Sequence, residues 1–207
     1  TYKAEVVALT VDLGQGRDVE AVRQKALATG AAKAVVVDGK ESFVREFVWP
    51  ALQAGAIYEA QYPLATALAR PLIARYLVEL AQREGAYAVA HGCTGKGNDQ
   101  VRFEVTARIL DPSLNIIAPV REWEFRSREE EIDYAHRHRI PIDVTKRSPY
   151  SIDQNLWGTS IESGVLENPW TEPPADTYRS IRSPERAASR AAYAVIDFVR
   201  GVPTQLD

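Results

Sequence analysis

The sequence has one cysteine, Cys93, three histidines and no methionine in 207 residues. A single thiol excludes an internal disulfide, and these few ligands, at no recognisable spacing, speak against a closed zinc site. No metal site is expected. Any run of about 18 apolar residues able to cross a bilayer is also missing, as is a leader in which charge precedes an apolar stretch. Neither a span nor a signal peptide is read, and a cytoplasmic location is the expectation. Lys and Arg number 25 against 28 Asp and Glu, a formal net charge of -3, so the chain lacks the broad positive field that holds nucleic-acid phosphates. Nucleic acid is therefore not an expected partner. Position 1 is not methionine, and Thr1-Tyr2-Lys3 leads almost directly into an apolar run, which predicts further sequence upstream.

What is present is enough to build a core: 45% of the residues are hydrophobic. Val6 to Val11 reads as a buried strand closed by Asp12, Gly14 and Gly16. Asp18 is the N-cap of a helix through Val19, Val22, Ala26 and Leu27 that Gly30 stops. Ala34 to Val37 gives a second strand. Glu41 to Pro50 has a helical pattern with Phe43, Phe47 and Val48 on a shared face, and Pro71 to Glu84 is a stronger helix ending at Gly85. Tyr87 to Ala90 is a third strand, Gln100 to Leu110 a helix, and Ile116 to Ala118 a fourth strand. Ser127 with Glu130 forms a capping box that opens a helix to about His138. Strands alternating with helices predict an α/β fold with a mainly parallel sheet and helices on both faces. Residues 143–184 turn to Pro, Ser, Asn and Trp without periodicity and read as a functional loop or domain junction. Ala192 to Val199 alternates like a strand, which Gly201-Val202-Pro203 ends. The expected division is a nucleotide-binding domain at 1–145 and, at 146–207, a junction with the start of a second, α+β domain.

The sharpest chemical feature is Gly92-Cys93-Thr94-Gly95-Lys96-Gly97-Asn98-Asp99, between a strand and a helix. Glycines let backbone approach a ligand closely, the following helix start offers unpaired N–H groups to an anion, and Lys96 adds positive charge. The spacing is not that of a Walker A loop, because Gly97 stands where a magnesium-binding Ser or Thr belongs. Asn98 and Arg102 share a helix face just beyond the turn. There the guanidinium suits a carboxylate and Asp99 suits an ammonium, the two charges of an amino acid. Asp12-Leu13-Gly14-Gln15-Gly16 lacks the full dinucleotide pattern and reads equally as a plain turn. Ser151 to Asn155 and Ser160 to Gly164 carry polar groups suited to a pocket wall or to local turns. Cys93 beside His91 has no orienting third group for nucleophilic chemistry. His136 to Arg139 reads as an exposed helix end.

His91-Gly-Cys-Thr-Gly-Lys-Gly-Asn-Asp-Gln-Val-Arg-Phe103 resembles the signature of the argininosuccinate synthases. Asp12 to Gln15, Tyr62-Pro63-Leu64 through Ala69-Arg70-Pro71, Ser151 to Asn155 and Gly164 to Trp170 extend the likeness along essentially the whole chain. The resemblance implies a fold of the adenine nucleotide alpha hydrolase or ATP pyrophosphatase type. It also implies an ATP-dependent ligase that joins citrulline and aspartate, with ATP taken as its magnesium complex and a homotetrameric assembly. By position, Val11 (through its backbone) and Gly92 are implied to contact ATP, and Thr94, Asn98 and Asp99 aspartate. Tyr62, Thr66, Asn98, Arg102, Ser151, Ser160 and Glu162 are implied to contact citrulline. Ala67 stands where such proteins often carry a citrulline-binding Ser, with Thr66 beside it to supply a hydroxyl. The family opens with a strand and a Ser-Gly-Gly-x-Asp-Thr-Ser loop around the ATP pyrophosphate. This sequence starts after that loop and stops near the start of the synthetase region, so a fragment is expected. Two other readings use the same residues: a non-catalytic binder of nucleotide or amino acid, and another ATP pyrophosphatase of the same fold. The charge balance disfavours an RNA-modifying version of the latter.

Overall fold

The computed structural model describes residues 2–16, 18–95, 97–124, 128–142, 150–178 and 181–207. Lys96, Ser127 and the 143–149 part of the expected junction lie outside these residues. Strands β1 (Val7–Asp12) and β2 (Lys33–Asp38) pair in parallel, from Val7 opposite Lys33 to Asp12 opposite Asp38. Parallel neighbours need a crossover, and α1 (Val19–Ala28) supplies it. It starts where expected, because Asp18 Oδ1 accepts the N–H groups of Glu20 and Ala21 at 2.9 and 3.1 Å.

The next helical segment differs from its expected form. It runs as α2 (Lys40–Phe43), a π turn (Val44–Val48) and α3 (Trp49–Gln53). Phe43 and Val48, five residues apart, are the buried pair, since the wider π turn brings i and i+5 onto one face. Helix α4 (Ala69–Glu84) ends at Gly85 with φ +63°, where a left-handed residue lets the Ala86 N–H return to the Ala81 carbonyl. Then come β3 (Ala88–Ala90), α5 (Asp99–Leu110) and β4 (Asn115–Ile117), with β3 and β4 again parallel. Short α6 (Pro119–Glu122) and α7 (Arg128–Arg137) follow. The α/β class and the parallel pairing thus agree with the sequence reading.

Two hydrophobic clusters form. One contains Val11, Leu13, Phe43, Val48, Ala69 and Leu72, the other Val78, Ala81, Val89, Ala107 and Leu114. Helix α4 puts its first half into the former and its second half into the latter. The strand pairs themselves are not hydrogen-bonded to each other. Consecutive residues of both β1 and β3 line a seam of about 390 Å3 between them, floored by Leu77, Leu80 and Ala81 of α4.

The expected loop over 143–184 is overturned in part. Strands β5 (Ser151–Asn155) and β6 (Gly158–Glu162) form an antiparallel hairpin around Leu156-Trp157. Its anchor is tertiary. Leu156 N–H donates to the Leu13 carbonyl at 2.8 Å, Trp157 Nε1 to the Pro63 carbonyl at 2.8 Å, and buried Asn155 Nδ2 to the Ala65 carbonyl at 2.7 Å. Gly201-Val202-Pro203 does not end the last strand: β7 (Ile196–Val199) turns at Arg200-Gly201 into β8 (Val202–Leu206). Pro203 is tolerated because a two-stranded hairpin is all edge. Among the described residues no helix is long and apolar enough to cross a membrane.

Candidate functional site

A cleft of about 800 Å3 opens beyond the carboxyl ends of β1 and β3, where open parallel sheets place ligands. Its walls come from the 62–66 turn, α4, the Gly92–Asp99 turn, the first turns of α5, and the β5–β6 hairpin. Every candidate residue except Val11 lines it: Tyr62, Thr66, Gly92, Thr94, Asn98, Asp99, Arg102, Ser151, Ser160 and Glu162. The hairpin contributes by its two-residue period. Ser151 stands opposite Glu162 and Asp153 opposite Ser160, so these four share one face.

The hydroxyl groups form a cluster. Tyr62 Oη lies 3.1 Å from Thr66 Oγ1 and 3.3 Å from Ser160 Oγ, and it also accepts the Thr66 N–H at 3.4 Å. Burial pushes the Tyr62 phenol up, but the hydrogen bonds from Ser160 and Thr66 and the positive charge of Arg102 together hold it below the ordinary tyrosine value. Thr66 rather than Ala67 brings the hydroxyl here.

The charged groups pair among themselves. Arg102 Nη1 donates to Asp99 Oδ1 at 2.7 Å, so the two groups read separately as carboxylate and ammonium partners hold each other. Arg70 was missed as a site residue. Its Nε donates to Asp99 Oδ2 at 2.7 Å and its Nη2 to Asp153 Oδ2 at 2.9 Å, tying α4 to α5 and to the hairpin. Burial works against the Arg70 charge, but the Asp99 hydrogen bond and the charges of Asp153 and Asp99 outweigh it and keep the guanidinium protonated. Arg70 and Asp153 both lie in segments that carry the family likeness, but no local pattern marks a pair 83 positions apart.

Val11 lies across this ion pair, on a second cavity of about 470 Å3 that shares Thr66, Arg70, Ile73 and Asp153 with the first. Its carbonyl accepts Gln15 Nε2 at 3.0 Å, and the Asp12–Gly16 turn closes on itself through Gly14 N–H to Asp12 Oδ1 at 2.9 Å. Gly14 has φ +80°, and a Cβ there would sit 2.5 Å from Leu156 Cγ. The hairpin's close approach is thus one reason for glycine at this position. Cys93 lines the main cleft, but burial, and then the Asp99 charge, push its thiol up, against a ready nucleophile. The cleft therefore offers paired guanidinium and carboxylate groups, a hydroxyl cluster and a glycine-rich turn. The chemistry of that set suits a zwitterion beside an anion.

The family described as "Arginosuccinate synthase N-terminal HUP domain" matches residues 1–141, and the "Arginosuccinate synthase C-terminal domain" matches 150–207. A protein of Chlorobium phaeobacteroides named argininosuccinate synthase is 57% identical over 206 residues, covering 100% of this chain and 52% of its own length. Proteins of the same name from Chlorobium limicola and Carboxydothermus hydrogenoformans are 56% and 55% identical, each over 100% of this chain and 52% and 51% of their own lengths. The chain spans about half the length of the curated relatives it matches.

Proposed function

This chain belongs to the argininosuccinate synthase family, and on that premise we propose that it carries the nucleotide site and much of the amino-acid site of a ligase condensing citrulline with aspartate. The ureido oxygen of citrulline attacks the α-phosphorus of ATP, taken as its magnesium complex. The bond to pyrophosphate breaks and citrullyl-AMP forms. The aspartate amine then attacks the ureido carbon and expels AMP, leaving argininosuccinate. In this reading residues 1–145 are the nucleotide-binding domain, 146–207 open the synthetase domain, and the protein works in the cytoplasm as a homotetramer.

Gly92 and the Val11 backbone contact ATP; Thr94, Asn98 and Asp99 hold aspartate. Tyr62, Thr66, Asn98, Arg102, Ser151, Ser160 and Glu162 hold citrulline. The observation that carries the reading is the convergence of these residues, Val11 apart, from four separated segments onto one cleft. Arg102 uses one nitrogen on Asp99, so a ligand carboxylate can take its other donors, while a ligand ammonium takes the lone pairs that Arg102 and Arg70 leave on the two Asp99 oxygens. Catalysis is then chiefly positioning and charge stabilisation. One more parallel strand in the seam between β1 and β3 would complete the order β2-β1-x-β3-β4 of a doubly wound sheet. Its carboxyl end would open on the cleft.

Calorimetric titration of the chain with ATP, citrulline and aspartate tests this. Arg102→Ala is expected to weaken citrulline binding by about 10- to 100-fold, the worth of a charged hydrogen bond, and ATP binding by under about 3-fold. Equal losses for both ligands would count against the assignment.

A further inference from the structure

The Gly92–Gly97 turn is held at both ends by groups that meet on a single arginine of α6. At its start the Cys93 N–H donates to His91 Nδ1 at 3.3 Å. A neutral ring that accepts at Nδ1 carries its proton on Nε2. Nε2 lies 3.4 Å from Glu104 Oε1, in a side chain only 6% exposed, and Glu104 Oε1 lies 2.6 Å from Arg121 Nη2. Neither approach is aligned as a hydrogen bond, since among the described residues His91 Nε2 and Glu104 Oε1 have no such partner. Charge and packing hold this arm, with the Phe103 ring stacked on His91 at 5.7 Å.

At the far end Gln100 Nε2 donates to the carbonyls of Gly95 at 2.8 Å and Gly97 at 3.3 Å, while Gln100 Oε1 accepts Arg121 Nη1 at 2.8 Å. The arginine stem runs behind the turn: a Cβ at Gly95 would lie 3.8 Å from Arg121 Cγ and Cδ. Arg121 itself is not among the residues lining the cleft.

We propose that Arg121 is a positioning residue for the glycine-rich turn, clamping its start through Glu104 and His91 and its end through Gln100. Glycine-rich backbone loses more conformational freedom on ordering than any other, so a turn fixed beforehand binds its ligand at lower entropic cost. Only this last step rests on the reading of the turn as nucleotide-facing.

The test is 15N relaxation and amide exchange on the full 207-residue chain, with ATP titration alongside. In Arg121→Gln the Cys93 amide is expected to exchange about tenfold faster, as for one lost hydrogen bond. The Gly95 and Gly97 amides should fall from rigid order parameters of about 0.85 to below about 0.6, while α4 and β2 stay unchanged. Gln100→Leu should loosen only the far end. His91→Gln, which loses the Nδ1 acceptor, should free the Cys93 amide fully, while His91→Asn, which keeps an acceptor there but loses the Nε2 contact with Glu104, should free it partly. ATP affinity should weaken with loss of turn order. An unchanged turn in Arg121→Gln overturns the clamp, as does loosening spread evenly through α4 and β2. A loosened turn with unaltered ATP affinity overturns the positioning role. A wild-type chain that fails to bind ATP removes the nucleotide reading, and turn order alone then decides the clamp.

Discussion

Replacing Arg70 by methionine removes the guanidinium that joins Asp99 on α5 to Asp153 on the hairpin while keeping most of the side-chain volume. Two charged hydrogen bonds disappear. Fully shielded, each is worth about 1.5–3 kcal/mol, but the side chains are 19% exposed for Arg70, 31% for Asp99 and 45% for Asp153. Solvent screening therefore brings the Asp153 bond down to about 1 kcal/mol. Asp99 keeps its bond from Arg102, so its carboxylate is not left wholly unpaired. With the Asp99 bond, 31% exposed on the carboxylate side and partly replaced by Arg102, also at about 1 kcal/mol, the sum is about 2 kcal/mol, which for a chain of this size lowers the thermal midpoint by about 4–8 °C. Circular dichroism melts would measure it. The hairpin tether goes with the arginine, so under the proposed function citrulline affinity should drop by about tenfold as Ser151, Ser160 and Glu162 lose their fixed distance from α5. Arg70→Lys, a point charge that cannot fork to two carboxylates, should recover about half of the stability. A methionine variant that melts within about 1 °C of the parent and binds citrulline equally well would refute the view that this ion pair holds the cleft walls together.

Gly14→Ala should destabilise the chain by about 1–3 kcal/mol in urea titrations, because the new methyl meets Leu156 in a backbone conformation that favours glycine; adding Leu156→Ala should relieve the steric part, and no relief would refute the contact. Tyr62 should ionise before the ordinary tyrosines in an alkaline absorbance titration, and that early component should vanish in Tyr62→Phe. Because the folded phenol sits below its unfolded value, its charge-linked stabilisation is present above the ordinary tyrosine value and lost as pH falls through the folded one, so the variant, already short of the phenol's hydrogen bonds at neutral pH, should lose further stability relative to the parent on the alkaline side.

Much of the first half of the fold could be read from local chemistry. Asp18 caps, Gly85 terminates, and the apolar runs of β1 to β4 lie within a residue or two of the expected bounds. Phe43, Phe47 and Val48 do share one apolar face, but the π turn between Phe43 and Val48 was not legible, because a 3.6-residue period has no place for a wider turn. The β5–β6 hairpin was hidden for a different reason. Each strand offers one isoleucine, and its turn is Leu-Trp rather than a glycine pair, since those two residues are held by Leu13 and Pro63 from far along the chain. At the site, the glycine-rich turn and Arg102 could be singled out by spacing. The capture of Asp99 by Arg70 as well as by Arg102 could not, because Arg70 lies 29 positions away in sequence.

Helix α4 has one end in each hydrophobic cluster, and the seam beside it carries no strand-to-strand bonds. Where no further strand fills that seam, such a layout lets either half fluctuate open while its neighbour stays folded, with the helix as the axle between them. Slowly exchanging amides should therefore sort into two populations with separate opening free energies rather than one. A ligand that touches both Thr66 and Asn98 spans the divide, and its binding would draw the two populations towards a common value.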